Sequence, residues 1–540
     1  MEKLKTKQNA TVISEQLGDD NGNDVLLHSR FADEESHSQS AIEAVKNYKY
    51  ALLWALYINI SVIMSGYDPQ VIGSSVGIEQ FRENFGYKYD GRWVVNAAWL
   101  SAFSYAIDIG NVFGSLLGGH FIDWWGNKTT LLIASSTIIG TIFIQFFSNS
   151  PPLLFVGELL SGIPLGMFPI ITSVYTSEVA PLALRGAFTA FVNLGFVVGQ
   201  LLATGILNAT QARDDKWSYK IPFAIQWVWP LIILSLLPFC PESPWWLVKK
   251  RKFSAARKNL LKLTSTSDER KLDNIMASMI QTIELEKENS NSASYLECFR
   301  GTNLRRTVIA AMSYSIQPLS GQVLVINYCV YFFENAGLKD NLSFALSLGL
   351  SAIGFVSTII SWFLMHKLGR RNLYLYPMMI MSLLLFIIGF VDIPKNYQSA
   401  NAWAESVLML VWTLVYDVSI GPLAFVYISE ISPSKLRAKI VSIANIAVVV
   451  TIIIFTVVVP YLINTDEGNL RGKSCFVFGG ISLLCTVWVY FELPETRGRT
   501  YEELDIMFYK KISARNFKGF DVKRHMKGYD DYGNINVDDV

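Results

Sequence analysis

Apolar stretches of about twenty residues recur from residue 50 to residue 491, divided by short polar segments. They fall near 50–72, 94–119, 129–148, 152–176, 186–207, 221–239, 307–333, 343–365, 373–391, 406–429, 440–463 and 474–491. Each is long enough to cross a hydrocarbon core of about 30 Å as a helix. The pattern predicts an all-α membrane protein with twelve transmembrane helices. Polar segments divide the chain further: a head at 1–48, spans within 49–240, a long connection at 241–306, further spans within 307–491, and a tail at 492–540. The head carries no apolar signal-peptide core, and both it and the tail after about residue 500 are expected to be disordered.

Composition agrees with this pattern. Of 540 residues, 51% are hydrophobic and only 17% charged, where a soluble chain carries about 25% charged. The net charge of +1 hides an asymmetry. HKLGRR (366–371), KLRAK (435–439) and KKRK (249–252) lie on one side, and NSPP (149–152), ENAGLKD (334–340) and NTDEGNLRGK (464–473) on the other. The positive-inside rule places both termini and the 241–306 connection in the cytoplasm. Asn208 and Asn341 head outward-facing N-x-S/T sequons and are candidate glycosylation sites.

Soluble chemistry leaves few traces. The five cysteines show neither a metal spacing nor a disulfide framework, and His120 and His366 sit at span ends as loop residues. WGNKTT (125–130) lacks the G-K-[ST] of a phosphate loop. No enzyme activity, cofactor, metal site or nucleic-acid partner is expected.

One signal repeats. SEVAPLALRG (177–186) returns as SEISPSKLRA (429–438), and PES (241–243) as PET (494–496). A repeat near half the chain length predicts two pseudo-symmetric six-helix bundles, joined by 241–306. In membrane proteins such parallel halves hold a substrate between them near mid-membrane and expose it alternately to each side.

With these marks the chain resembles the sugar porter family of the major facilitator superfamily across 50–505. The resemblance rests on GYD (66–68), SEVAPLALRG, PESPWWL (241–247), IQPLSG (316–321), KLGRR (367–371), GPLAFVYISE (421–430) and PETRGRTYEEL (494–504). GELLSGIP (157–164), FVNLGFVVGQ (191–200) and IPFAIQWVWP (221–230) further resemble fungal α-glucoside, maltose-type proton symporters. The resemblance implies a secondary active carrier in the plasma membrane, importing a hexose or α-glucoside with a proton by alternating access. A facilitative uniporter and a non-transporting sugar sensor share the fold and remain alternatives.

Acids inside apolar spans mark pathways. Four stand out: Asp68, Asp108, Glu158 and Asp417. By resemblance Asp68 is the proton-binding acid of the first helix and Glu158 the acid of the fourth, and the two could share one proton. The alternatives are that Asp68 opens the outer loop and that Glu158 makes a structural hydrogen bond. Asp108 and Asp417 match no family motif and read as packing residues. Ser65 stands where relatives carry Glu, and Asn445 where they carry Arg.

For the sugar, hydroxyls call for amides and the flat C–H faces for aromatic platforms. The seventh span offers Gln317, Gln322, Asn327 and Tyr328, with Pro318 and Gly321 to break the helix. The resemblance implies substrate contacts at Gln317, Asn193 and Phe425, and Gln322 is a further candidate. Interhelical hydrogen bonding is the competing explanation for these amides. The resemblance also implies a cytoplasmic gate of ion pairs built from Asp123, Glu178, Arg185, Arg370, Arg371, Glu430 and Arg437. Trp124 replaces the first Arg of the family's DRxGRR, and His366 replaces Asp in its second copy. The pairs are expected to be exposed and individually weak.

Overall fold

The computed structural model describes residues 37–89, 92–265, 269–288, 294–327, 340–393, 399–463 and 470–522. Long helices dominate. The first span is Lys49–Ser75, followed after a short hairpin (Tyr87–Tyr89 paired with Arg92–Val94) by an unbroken-looking helix, Ala97–Phe147, of 51 residues. A helix that long would measure about 75 Å, more than twice a bilayer core. It is two spans: at Gly126 the backbone turns to φ 88° and ψ 172°, so the second span is 97–125 and the third 127–147. The fourth is Pro151–Val179, the fifth Arg185–Thr210 and the sixth Trp217–Phe239. The second half contributes Gly301–Ile326, Asp340–Leu368, Arg370–Val391, Trp403–Glu430, Arg437–Ile463 and Ser474–Glu492 as spans seven to twelve. The twelve predicted spans are present, with ends that differ by several residues.

Packing follows from residue size. A β-carbon on Gly114 would run into the carbonyl of Ile163, and one on Gly162 into that of Ile107. The second and fourth spans therefore touch backbone to backbone, the usual use of small residues where lipid supplies no hydrophobic drive between helices. One apolar core is built mainly from the first six spans and a second from the last six.

A third core lies outside the spans. In the connection, Pro244–Lys249, Phe253–Leu263 and Glu269–Glu288 are helices that bury Trp245, Leu260, Met276 and Ile280 together with Tyr501. Within the described residues, part of the head and part of the tail are helical; residues 1–36 and 523–540 of these two segments lie outside the described residues. Ser40 caps a helix at Ala41–Asn47, and the Ser265 N–H donates to the Asn47 carbonyl at 2.7 Å. The tail forms Tyr501–Tyr509, opened by a reciprocal cap between Thr500 and Glu503, and buries Leu504, Met507 and Phe508 in the second core. Head meets tail where His37 lies 3.5 Å from Glu503. The tail segment is polar on average, but Tyr501, Leu504, Met507 and Phe508 share one buried face of Tyr501–Tyr509, which composition alone does not register.

Candidate functional site

Asp68 sits two turns inside the first span rather than at its end, so the loop alternative fails. It is 1% exposed. Its Oδ1 accepts from Gln226 Nε2 of the sixth span at 2.6 Å and from Gln145 Nε2 of the third at 3.4 Å. Oδ2 has no hydrogen-bond partner among the described residues. Gln145 also donates to Ser161 Oγ on the fourth span at 3.0 Å. One turn from Ser161, Glu158 is wholly buried, within electrostatic range of Asp68 and beside the Gln145 carboxamide. Four helices of the first bundle converge on two carboxyl groups served by two amides.

The sugar candidates meet at the seam between the bundles. The tenth span breaks at Ser419 (φ −126°, ψ −86°), between Ser399–Val418 and Ile420–Glu430. Pro422 explains the break, because its ring would clash with the carbonyl of Val418 in a continued helix. The carbonyls of Ile420 and Gly421, in the first turn after the break, accept from Gln317 Nε2 at 3.5 and 3.1 Å. Asn193 crosses the seam and donates from Nδ2 to Thr358 Oγ1 of the eighth span at 3.0 Å. Phe425 lies between Phe196 of the first bundle and Tyr314 of the second, with ring centroids 6.0 and 5.0 Å away. Gln322 follows the positive-φ Gly321 (φ 99°) and buries an Oε1 that has no partner among the described residues. The side chain of Asn327 and all of Tyr328 lie outside the described residues.

The two family departures make neutral hydrogen bonds to other spans. Ser65 Oγ donates to the Leu165 carbonyl at 3.1 Å. Asn445 Nδ2 donates to Asn111 Oδ1 at 3.0 Å and to Ser115 Oγ at 2.7 Å, tying the eleventh span to the second.

At the face carrying the 241–306 connection, the duplicated marks form matching networks. In the first half, Tyr175 donates to the Pro241 carbonyl at 3.0 Å and Ser243 to Glu178, while Glu242 accepts from the N–H groups of Asn127 and Lys128, each at 3.0 Å. In the second, Tyr427 donates to the Pro494 carbonyl at 3.1 Å and Thr496 to Glu430 at 2.5 Å, while Glu495 accepts from Arg370 N–H at 3.0 Å and Arg371 N–H at 3.2 Å. Glu242 and Glu495 therefore cap the third and ninth spans, where four backbone donors have no helical partner. Neither acid was singled out from the sequence, although both lie in the repeated PES and PET.

Ion pairs then join the halves. Arg437 Nη1 lies 3.4 Å from Glu178 Oε1, with both side chains essentially unexposed, and Lys249 Nζ adds to the same carboxylate at 3.6 Å. Asp123 pairs with Lys439. Arg370 Nη2 pairs with Glu430 at 3.3 Å and would touch a β-carbon on Gly186 of the other half. The expectation of exposed, weak pairs is thus corrected: the polar mouth is covered by the connection and the tail. Two expected members differ. Arg371 faces the Tyr490 carbonyl at 2.8 Å and pairs with no carboxylate among the described residues. Arg185 likewise pairs with none; its guanidinium lies 3.8 Å from the Tyr501 ring centroid, with Arg437 4.0 Å from it. Tyr501 also donates to the Ser177 carbonyl at 3.0 Å. Asn208 is exposed in the last turn of the fifth span, where its Oδ1 accepts from Gln211 at 2.7 Å; the Asn341 side chain lies outside the described residues.

Comparison with known proteins agrees with this architecture. The profile of the family described as "Sugar (and other) transporter" matches residues 54–508. The general alpha-glucoside permease of Saccharomyces cerevisiae is 31% identical over 529 residues, covering 97% of this chain and 84% of that permease. Maltose permease MAL31 of the same species is 33% identical over 528 residues, covering 96% and 85%. In three dimensions the chain is similar to the proton:xylose symporter XylE bound to 6-bromo-6-deoxy-D-glucose, with a TM-score of 0.75 at 21% identity over 86% of this chain and 100% of that one. The protein is accordingly not an enzyme but a multi-pass membrane transporter, and it belongs to the sugar porter family of the major facilitator superfamily.

Proposed function

We propose that the protein imports a hexose or α-glucoside together with a proton across the plasma membrane, by alternating access. The observation that carries this reading is the buried pair of Asp68 and Glu158, held by Gln145 and Gln226 inside the first bundle. Burying an uncompensated carboxylate costs several kcal/mol. A proton taken up with the sugar relieves that cost, and its release to the inner side leaves the site ready to turn outward again. The sugar lies between Asn193, Gln317 and Phe425, with Gln322 at the helix break. The names of the permease and symporter relatives support both the α-glucoside and the proton.

In this reading the face with the 241–306 connection is cytoplasmic, following the Lys and Arg bias of the short connections. The Glu178–Arg437 and Asp123–Lys439 pairs then shut the inner mouth, and Asn208 and Asn341 carry glycans outside. Facilitative uniport is the second reading, favoured by one observation: Ser65 and Asn445, where related symporters carry charges, make neutral hydrogen bonds between spans.

The test is uptake of radiolabelled maltose and glucose in a transporter-null cell, with and without a protonophore. Symport predicts accumulation above the external concentration that collapses with the gradient. Accumulation that survives the protonophore overturns the coupling.

A further inference from the structure

Two buried polar atoms near the seam remain unused by this mechanism. Trp362 lies in the eighth span, about 9 Å from the end of that helix at Leu368. It packs against the cores of both bundles. Its ring meets Phe191 of the fifth span edge-on, with centroids 4.8 Å apart, and Phe191 stacks on Phe188 at 5.7 Å. The indole Nε1 is buried and has no hydrogen-bond partner among the described residues. One turn further along the fifth span, a β-carbon on Gly195 would stand 3.0 Å from Oδ1 of Asn59, a residue of the first span. That oxygen, too, is buried without a partner among the described residues.

Position along the helices fixes the depth of these groups. Phe191 lies six residues inside the start of the fifth span at Arg185, and Trp362 six residues before Leu368. Both helix ends stand at the connection face, beside Tyr501 and the Arg370–Glu430 pair. The Asn193–Thr358 bond is one turn deeper, since Thr358 precedes Trp362 by one turn of the same helix. Trp362 and Phe191 thus separate the candidate sugar site from the connection face. An indole N–H only donates, and an amide oxygen only accepts. Leaving either bare is costly, so a ligand that supplies the missing partner gains most at such atoms. A sugar hydroxyl accepts and donates, and its flat C–H faces suit an indole ring.

We infer that Trp362 and Asn59 flank an inner waypoint, a second sugar-binding position that the sugar occupies between the central site and the cytoplasm as the connection face opens. There Trp362 Nε1 donates to one sugar hydroxyl, the indole covers a C–H face, and Asn59 Oδ1 accepts from another hydroxyl. The inference rests on the proposed sugar transport and adds a stop to its path that Asn193, Gln317 and Phe425 do not make. The waypoint renders the two sides of the carrier unequal. Sugar arriving from the cytoplasm meets it first, and sugar arriving from outside meets it last. Its loss therefore weakens binding from the inner side and spares binding from the outer one.

The experiment uses the full-length protein in sealed plasma-membrane vesicles from transporter-null cells, right-side-out and inside-out, with a protonophore present and protein amounts measured. Initial entry of labelled maltose, or of glucose if maltose is not carried, gives the outer and inner KM. Trp362→Phe keeps a ring and removes the donor. The expected result is an inner KM about tenfold higher with the outer KM within about twofold of the unaltered value. With no gradient the two kcat/KM values stay equal, so the compensation appears in kcat. Asn59→Leu, on another helix, should show the same split, and Trp362→Tyr, which carries a donor on its ring, should recover part of the inner affinity. A merely structural Trp362 would change both KM values alike or only the amount of protein, and either result overturns the waypoint. If Trp362→Phe does not reach the membrane, Asn59→Leu decides alone, and equal KM changes on both sides overturn the inference. If the unaltered protein carries neither sugar, the transport reading itself fails; face-independent variants of an active carrier dismiss only the waypoint.

Discussion

At Asp68 one carboxylate oxygen takes both amide hydrogens while the other has no partner among the described residues. That division fits a group that binds and releases a proton without losing its position. One proton moved through about 100 mV and one pH unit supplies roughly 3.7 kcal/mol, an accumulation limit of about 500-fold. Asp68→Asn keeps the hydrogen-bonding shape and removes the titration. The variant should equilibrate labelled maltose to an internal-to-external ratio near unity while still exchanging maltose across the membrane. If Asp68→Asn concentrates the sugar as the unaltered protein does, Asp68 does not carry the proton. Asp68 and Glu158 were legible in the sequence because a charge inside an apolar run stands out. Gln145, Gln226 and Thr358 were not: a neutral amide or hydroxyl in a span carries no such signal, and only folding brings residues 68, 145 and 226 together. Asp417 was visible as an acid, yet its neighbour Asn193, more than two hundred residues earlier, was not visible as its neighbour.

Helix ends carry the matching architecture of the two halves. Gly126 (φ 88°) and Gly369 (φ 81°) turn the chain in the left-handed region immediately before the third and ninth spans, and a β-carbon at either would strike the capping carboxylate of Glu242 or Glu495. Both the conformation and the space therefore require glycine. Gly369→Ala should destabilise the purified protein by about 1–2 kcal/mol from backbone strain alone, read as a lower Tm. Gly349→Ala, where a β-carbon meets nothing within 4 Å, serves as the control and should shift Tm little. Equal shifts for the two variants would dismiss the capping account. Span number and the repeated marks could be read in advance because hydrophobic length and duplication are local patterns. The helix Tyr501–Tyr509 could not, because the Thr500–Glu503 cap and its apolar face depend on a surface that exists only after the spans assemble.

Between the bundles, the ion pairs at the connection face are buried rather than exposed. Removing one member of a buried pair costs about 3–5 kcal/mol, since the other is left uncompensated. Glu178 holds both Arg437 and Lys249, so Glu178→Gln should tilt the molecule toward opening at that face. Ser442, buried between the second and eleventh spans near this mouth, offers a reporter: its hydroxyl donates to the Ser115 carbonyl at 2.5 Å. Ser442→Cys should react faster with a membrane-impermeant maleimide, applied from the connection side, when Glu178→Gln is also present. Unchanged labelling would show that closure does not depend on this carboxylate. The bundle seam was legible as a repeat, but the pairing across it was not. Sequence symmetry matched Arg185 with Arg437, whereas the folded chain sets both against the Tyr501 ring and gives a carboxylate to Arg437.

That tyrosine has a mechanical consequence. Tyr501 comes from beyond the last span, yet it wedges between arginines of opposite bundles and bonds the end of the fourth span. If the bundles part at that face, as the proposed alternating access requires, the tail must slide or let go in each cycle. A stretch outside the membrane thereby works as a moving part of the machine, and shortening the chain ahead of residue 501 would take away its doorstop.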